Sequence, residues 1–222
     1  MTALTGLHDR LRFARLHFLT DLRHSEDEFR HLLNEVYAGG VDMVQIRDAR
    51  ADGTRLAKAA TIATQIAQQH RKLAIVGQRL DVAAKVNADA VHLGAADQSS
   101  QDARAQLHPH ALVGKSIHSR NELRAELGGE RADYLFISPV FLGDFDMLGL
   151  IDHVAQLLPV DAETVPWFAV GGINMANIDE VLDAGARRIG VSGAILHSPN
   201  PGQMAADLRA AVDARWPEPV TE

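Results

Sequence analysis

Ala88-Asp89-Ala90-Val91-His92-Leu93 sets a small residue and then an acid directly ahead of a short apolar run. The same order of a small residue, a polar one and an apolar run returns three times. It stands at Gly40-Val41-Asp42-Met43-Val44, at Ala132-Asp133-Tyr134-Leu135 and at Ala186-Arg187-Arg188-Ile189. The four starts are 48, 44 and 54 residues apart (40 to 88, 88 to 132, 132 to 186). That spacing is about twice one βα unit, so the pattern marks every second strand. Further apolar runs lie between the marked ones. In order, the eight are Arg15–Leu19, Met43–Ile46, Leu73–Val76, Ala90–Leu93, Ala111–Gly114, Tyr134–Ile137, Trp167–Val170 and Arg188–Val191. Their nearly continuous apolar character predicts strands buried on both faces, as in parallel sheets.

Helical periodicity fills the gaps, most clearly at Glu26–Tyr37, Thr54–Gln69, Asn177–Ala184 and Met204–Ala214. Eight βα units in 222 residues predict one (β/α)8 TIM barrel over residues 1–222, with its core at about 14–214. A doubly wound open sheet is the competing architecture. Eight regular units without a strong cofactor fingerprint favour closure. From Trp216 onward the polar stretch WPEPVTE reads as a fraying tail.

The bulk composition excludes several classes. There are no cysteines, so disulfides and thiolate metal sites are ruled out. No secretory apolar run opens the chain, and no segment approaches the roughly 18 apolar residues of a membrane span. A cytoplasmic protein with no membrane contact is expected. Net charge is −7 with scattered basic residues, which speaks against a nucleic-acid surface. An anionic ligand would have to be held by local dipoles against the overall field.

In a barrel, ligand-handling groups follow the strands. Val170-Gly171-Gly172-Ile173-Asn174 and Val191-Ser192-Gly193-Ala194-Ile195 follow the seventh and eighth. Their glycines let the backbone approach a ligand, and free amides can hold phosphate oxygens. Gly171, Gly172, Ser192 and Gly193 are therefore candidate phosphate contacts. Tight turns needing glycine for steric reasons are the plainer account. Gln45 and Arg47 share one face after the second strand. Arg47 either forks onto a phosphate or carboxylate, or pairs with Asp48 or Asp21. After the fifth strand, Ser116 could hydrogen-bond a substrate and His118 could move a proton near neutral pH. Ser119 with Glu122 reads as a capping box. His92 reads as a satisfied core histidine. No metal site is expected, with Asp97 the weak candidate, because magnesium usually needs one or two well-placed carboxylates.

Several of these stretches together resemble the thiamin phosphate synthase/TenI family. They are VQIRD (44–48), ADAVHLG (88–94), GKSIHS (114–119), ADYLFISPVF (132–141), PWFAVGGIN (166–174) and LDAGARRIGVSGAI (182–195). The resemblance spans about Arg15 to Ala214 and implies a TIM barrel, often dimeric, working in thiamin biosynthesis. It implies a synthase that couples hydroxymethylpyrimidine diphosphate to a thiazole phosphate with magnesium, or a TenI-like enzyme that aromatises the thiazole phosphate. It places Gln45 and Arg47 on the pyrimidine diphosphate and Ser116 near the pyrimidine. His118 matches the TenI proton shuttle, and Gly172, Ser192 and Gly193 match the thiazole-phosphate amides. Other positions depart from the family. Its lysine after the second strand is Ala49, and its magnesium ligands fall at Gln78 and Ala96. Its Thr-x-Thr-Lys loop falls on Gly143-Asp144-Phe145-Asp146. Three readings follow: a thiamin-pathway enzyme (synthase or tautomerase), another reaction on a small phosphorylated heterocycle, or a non-catalytic phosphate-ligand binding protein.

Overall fold

A computed structural model describes residues 6–94, 96–129, 132–143, 147–160 and 164–216. Its strands are β1 (Leu16–Thr20), β2 (Met43–Ile46), β3 (Leu73–Gly77), β4 (Ala90–Leu93), β5 (Leu112–Ile117), β6 (Tyr134–Ile137), β7 (Trp167–Val170) and β8 (Ile189–Val191). They pair in parallel in chain order, and β8 returns to β1 to close the barrel. The helices are α1 (Leu7–Phe13), α2 (Glu26–Ala38), α3 (Gly53–His70), α4 (Leu80–Val86), α5 (Ser100–Arg104), α6 (Arg120–Leu127), α7 (Met147–Leu157), α8 (Ile178–Asp183), α9 (Gly193–Leu196) and α10 (Pro201–Asp213). No described helix is long and apolar enough to cross a membrane.

Local chemistry sets five of the helix starts. Ser25, Asp52, Ser99, Ser119 and Asn200 each accept a first-turn backbone N–H through the side chain. The expected capping box is half-formed: Ser119 accepts from the Glu122 N–H, but Glu122 turns back to the N–H of His118. α10 begins three residues before its periodic signal, because Pro201 fits a first helical position.

The repeated polar position ahead of each even strand has a structural reason. The carboxylate of Asp42 accepts the N–H groups of Arg15 and Leu16 at the start of β1. Asp89 accepts the N–H of Ala74 in β3, and Asp133 that of Val113 in β5. Each acid thus ties the base of its own strand to the preceding one. Arg188 holds the fourth position and donates instead to the carbonyls of Ala14 and Arg12. Replacing Asp133 with Ala strands the Val113 N–H, and about 2 kcal/mol of stability should go with it. A thermal melt should show a drop of roughly 4–8 °C; an unchanged melt would mean the tie is ornamental.

Two apolar layers result. Outward-facing strand residues such as Phe18, Val44 and Ile137 join the inner faces of the helices. The lumen holds Met43, Leu73, Ile75, Leu112, Phe168 and the aromatic stack of Tyr134 and Phe136. Helix α1, which has no strong sequence signal, seals its base through Leu7 and Leu11. Gly114 leaves the space that Tyr134 fills, since a Cβ there would lie 2.1 Å from the ring.

Two expectations are corrected here. β5 runs on to Ile117, so Ser116 belongs to the strand and not to the loop after it. Trp216 does not fray: the guanidinium of Arg15 sits 3.9 Å from its ring centroid and that of Arg188 5.0 Å. The residues after it lie outside the described ones.

Candidate functional site

At the C-terminal mouth of the barrel is a cavity of about 210 Å3. Leu19, Phe136 and Val170 form its apolar wall, and Gln45, Arg47, Gln78, His92, Ser116, Ser138 and Gly171 supply polar groups. Alternation along each strand produces the set, because residues two apart share the lumen face. Gln45 is buried, and Gly77 leaves room for its amide: a Cβ there would lie 2.9 Å from Nε2. Arg47 lies one step beyond β2, exposed at the rim. Its expected pairing with Asp48 or Asp21 does not form. Asp48 meets Arg50 and Asp21 meets Arg23, so Arg47 has no carboxylate partner among the described residues.

His92 corrects the sequence reading. One ring nitrogen, Nε2, lies 3.0 Å from Ser116 Oγ, while Nδ1 is buried without a partner. Its ring packs on Phe136 at 3.9 Å between centroids. Burial, with His17 and Arg47 nearby, pushes its pKa well below the usual histidine range. His92 is therefore a neutral group on the cavity floor, half-satisfied through Ser116. The sequence signal was present, since His92 follows β4's apolar alternation onto the lumen face, where a polar residue is unusual.

Ser116 and His118 separate. Ser116 points into the cavity, whereas His118 is exposed beyond the strand with Nδ1 hydrogen-bonded to the Ser138 carbonyl. His118 does not line the cavity but touches a residue that does. Gly171 lines the cavity; Gly172, Ser192 and Gly193 do not. Gly171 and Gly172 adopt φ of 119° and 73°, the left-handed region where glycine is needed. The Gly172 carbonyl is held by the side chains of Asn174 and Asn177, while its N–H meets no described acceptor. The Gly193 N–H opens the single turn of α9 and is likewise free.

The carboxylates do not gather. Asp97 Oδ2 accepts the Gly94 N–H at 2.7 Å, closing the turn after β4, and Asp48 faces Arg50. Among the described residues no three of His, Asp and Glu converge as metal ligands would. Asp144 and Asp146 lie outside those residues. A second cleft, about 160 Å3 between α2 and α3, is lined by Leu22, Phe29, Lys58 and Ile62 on the barrel's outer wall. It offers none of the mouth's buried polar groups.

Residues 16–195, nearly the whole barrel, match the family model for thiamine monophosphate synthase. The chain belongs to that family. The thiamine-phosphate synthase of Streptomyces avermitilis is 36% identical over 206 residues, covering 90% of this chain and 94% of its own. That of Thermobifida fusca is 38% identical, covering 91% and 94%. Among solved structures, thiamine phosphate pyrophosphorylase from Pyrococcus furiosus superposes with a TM-score of 0.78 at 29% identity, over 94% of this chain and 98% of that one.

Proposed function

We propose that the chain is a thiamin phosphate synthase-like transferase joining a hydroxymethylpyrimidine diphosphate to a thiazole phosphate. The observation that carries this reading is the convergence of Gln45, His92 and Ser116 on one apolar-walled cavity, with an unpaired Arg47 at its rim. A flat heterocycle fits between Phe136, Leu19 and Val170. Gln45, Ser116 and the backbone could then satisfy its ring nitrogens and amino group. Arg47 meets the diphosphate with a charge that no carboxylate among the described residues neutralises. The free amides of Gly172 and Gly193 take the thiazole phosphate on the adjoining edge.

In the reaction the thiazole nitrogen bonds to the pyrimidine's methylene carbon. The bond from that carbon to the diphosphate oxygen breaks, and diphosphate leaves with the electron pair. The chain's part is to align nitrogen, carbon and leaving oxygen and to stabilise the departing charge. Magnesium would ordinarily share that charge. The described carboxylates do not fit such an ion, since Asp97 and Asp48 are engaged elsewhere and Gln78 and Ala96 bring no charge.

A tautomerase acting on thiazole phosphate is the second reading. What favours it is the bond from His118 Nδ1 to Ser138, which leaves Nε2 bare as a base. The deciding assay supplies both substrates with magnesium and follows thiamin phosphate. Formation at a steady rate supports the transferase. Interconversion of thiazole phosphate tautomers without coupling, lost in His118→Ala with binding kept, would replace it with the second reading. For the transferase, Arg47→Ala should raise the KM for the pyrimidine diphosphate about tenfold or more, the scale of one charge-assisted hydrogen bond. An unchanged KM would remove Arg47 from the site.

A further inference from the structure

The lumen beneath the cavity contains an unusual cluster of unpartnered polar atoms. Both ring nitrogens of His17, Oε1 of Gln45, Nδ1 of His92 and the Tyr134 hydroxyl are buried without hydrogen-bond partners. Buried polar groups are nearly always satisfied, so four such residues in one barrel interior call for an explanation. His17 is fully buried on β1. Its ring is fixed by edge contacts to Phe136 at 4.8 Å and Phe168 at 5.6 Å, and Tyr134 lies 6.2 Å away. The register pairs Leu19 with Gln45 and His17 with Met43. His17 therefore sits one lumen layer below Gln45, on the side away from the mouth.

We propose that His17 is a positioning residue that anchors the Gln45 carboxamide for ligand contact. A neutral imidazole has one N–H donor and one acceptor nitrogen. Gln45, on the neighbouring strand and facing the same interior, carries an acceptor, Oε1, that lacks a partner. Donation from His17 to that oxygen fixes which way the carboxamide faces, leaving its NH2 to donate toward the mouth. Burial keeps the imidazole neutral, lowering its pKa to about 3 against a smaller upward pull from Gln45. Without the anchor the carboxamide is free to turn and offer oxygen where the ligand needs a donor. The inference rests on the reading of Gln45 as a pyrimidine contact.

The test is calorimetric binding of hydroxymethylpyrimidine diphosphate and, separately, of thiazole phosphate. His17→Phe keeps an aromatic ring and loses the donor; His17→Asn keeps a donor. His17→Phe should weaken pyrimidine diphosphate binding about tenfold and leave thiazole phosphate binding within about twofold. His17→Asn should recover most of the loss. In a Gln45→Leu background His17→Phe should cost nothing further. Equal weakening of both ligands, or a full tenfold loss in that background, would overturn the inference. Gln45→Leu that keeps normal binding would overturn the reading of Gln45 itself. Loss in Gln45→Leu beside normal binding in His17→Phe would overturn the inference alone. A fourth readout needs no ligand: the ring 15N shifts of His17 should report a single tautomer that becomes mixed in Gln45→Leu. A mixed tautomer already in the unsubstituted chain would refute the anchor whatever the substrate proves to be.

Discussion

Replacing Gly172 with Asp should lower affinity for thiazole phosphate, or for inorganic phosphate as its stand-in, by more than about a hundredfold. The backbone there has φ of 73°, which asparagine and aspartate tolerate better than other side chains, so the fold should survive. The added Cβ would stand 3.0 Å from the Cβ of Phe141, a contact that a small shift of the loop after β6 can relieve. What cannot be relieved is the charge. A carboxylate would occupy the place where free amides otherwise meet the ligand's oxygens, and the chain already carries a net charge of −7. Gly172→Ala separates the two effects, because it brings the same Cβ without the charge and should lose far less binding. Normal phosphate affinity in Gly172→Asp would show that the amides after β7 are not the phosphate contact.

The second large effect is on acid stability. His17 titrates near 3 in the fold because burial opposes its charge, against an ordinary value of 6.5. Below about 6.5 the unfolded chain binds a proton that the fold refuses, so unfolding gains protons and stability falls with falling pH. The loss runs from about 6.5 down to about 3, where the folded state also protonates. Between pH 7 and pH 4 it amounts to roughly 3 kcal/mol from this residue. His92, lowered in the same direction, adds to it. Urea unfolding at the two pH values should show the difference, and His17→Phe should shrink it by about that amount. An identical pH dependence in His17→Phe would mean that His17 is not a buried neutral histidine.

Much of the site was legible because barrel geometry ties sequence position to place. Gln45, Arg47, Ser116 and Gly171 follow or end their strands and do meet at one cavity. His118 reads the same way yet stands outside it, since β5 continues to Ile117 and carries the chain past the mouth before the turn. His92 was discounted because one strand cannot tell a satisfied core histidine from a half-satisfied one. That depends on Ser116, 24 residues later, and on an unfilled Nδ1. The link between His17 and Gln45 was invisible for the same reason. Gln45 reads as a site candidate while His17 does not stand out, and their relation exists only through the pairing of β1 with β2.

The sequence by itself determined the eight-unit barrel, the order of its strands and the glycine turns after β7 and β8. Apolar period, capping residues and a repeated acid before alternate strands are local signals, and each acts within a few residues of where it is written. Only the tertiary structure decided which polar side chains share a pocket and which remain unpaired, and that Arg47 has no carboxylate partner among the described residues. It also decided that α1 seals the lumen. Partners in space are set by closure of the sheet, which brings β8 to β1 and packs side chains from seven different strands into one interior.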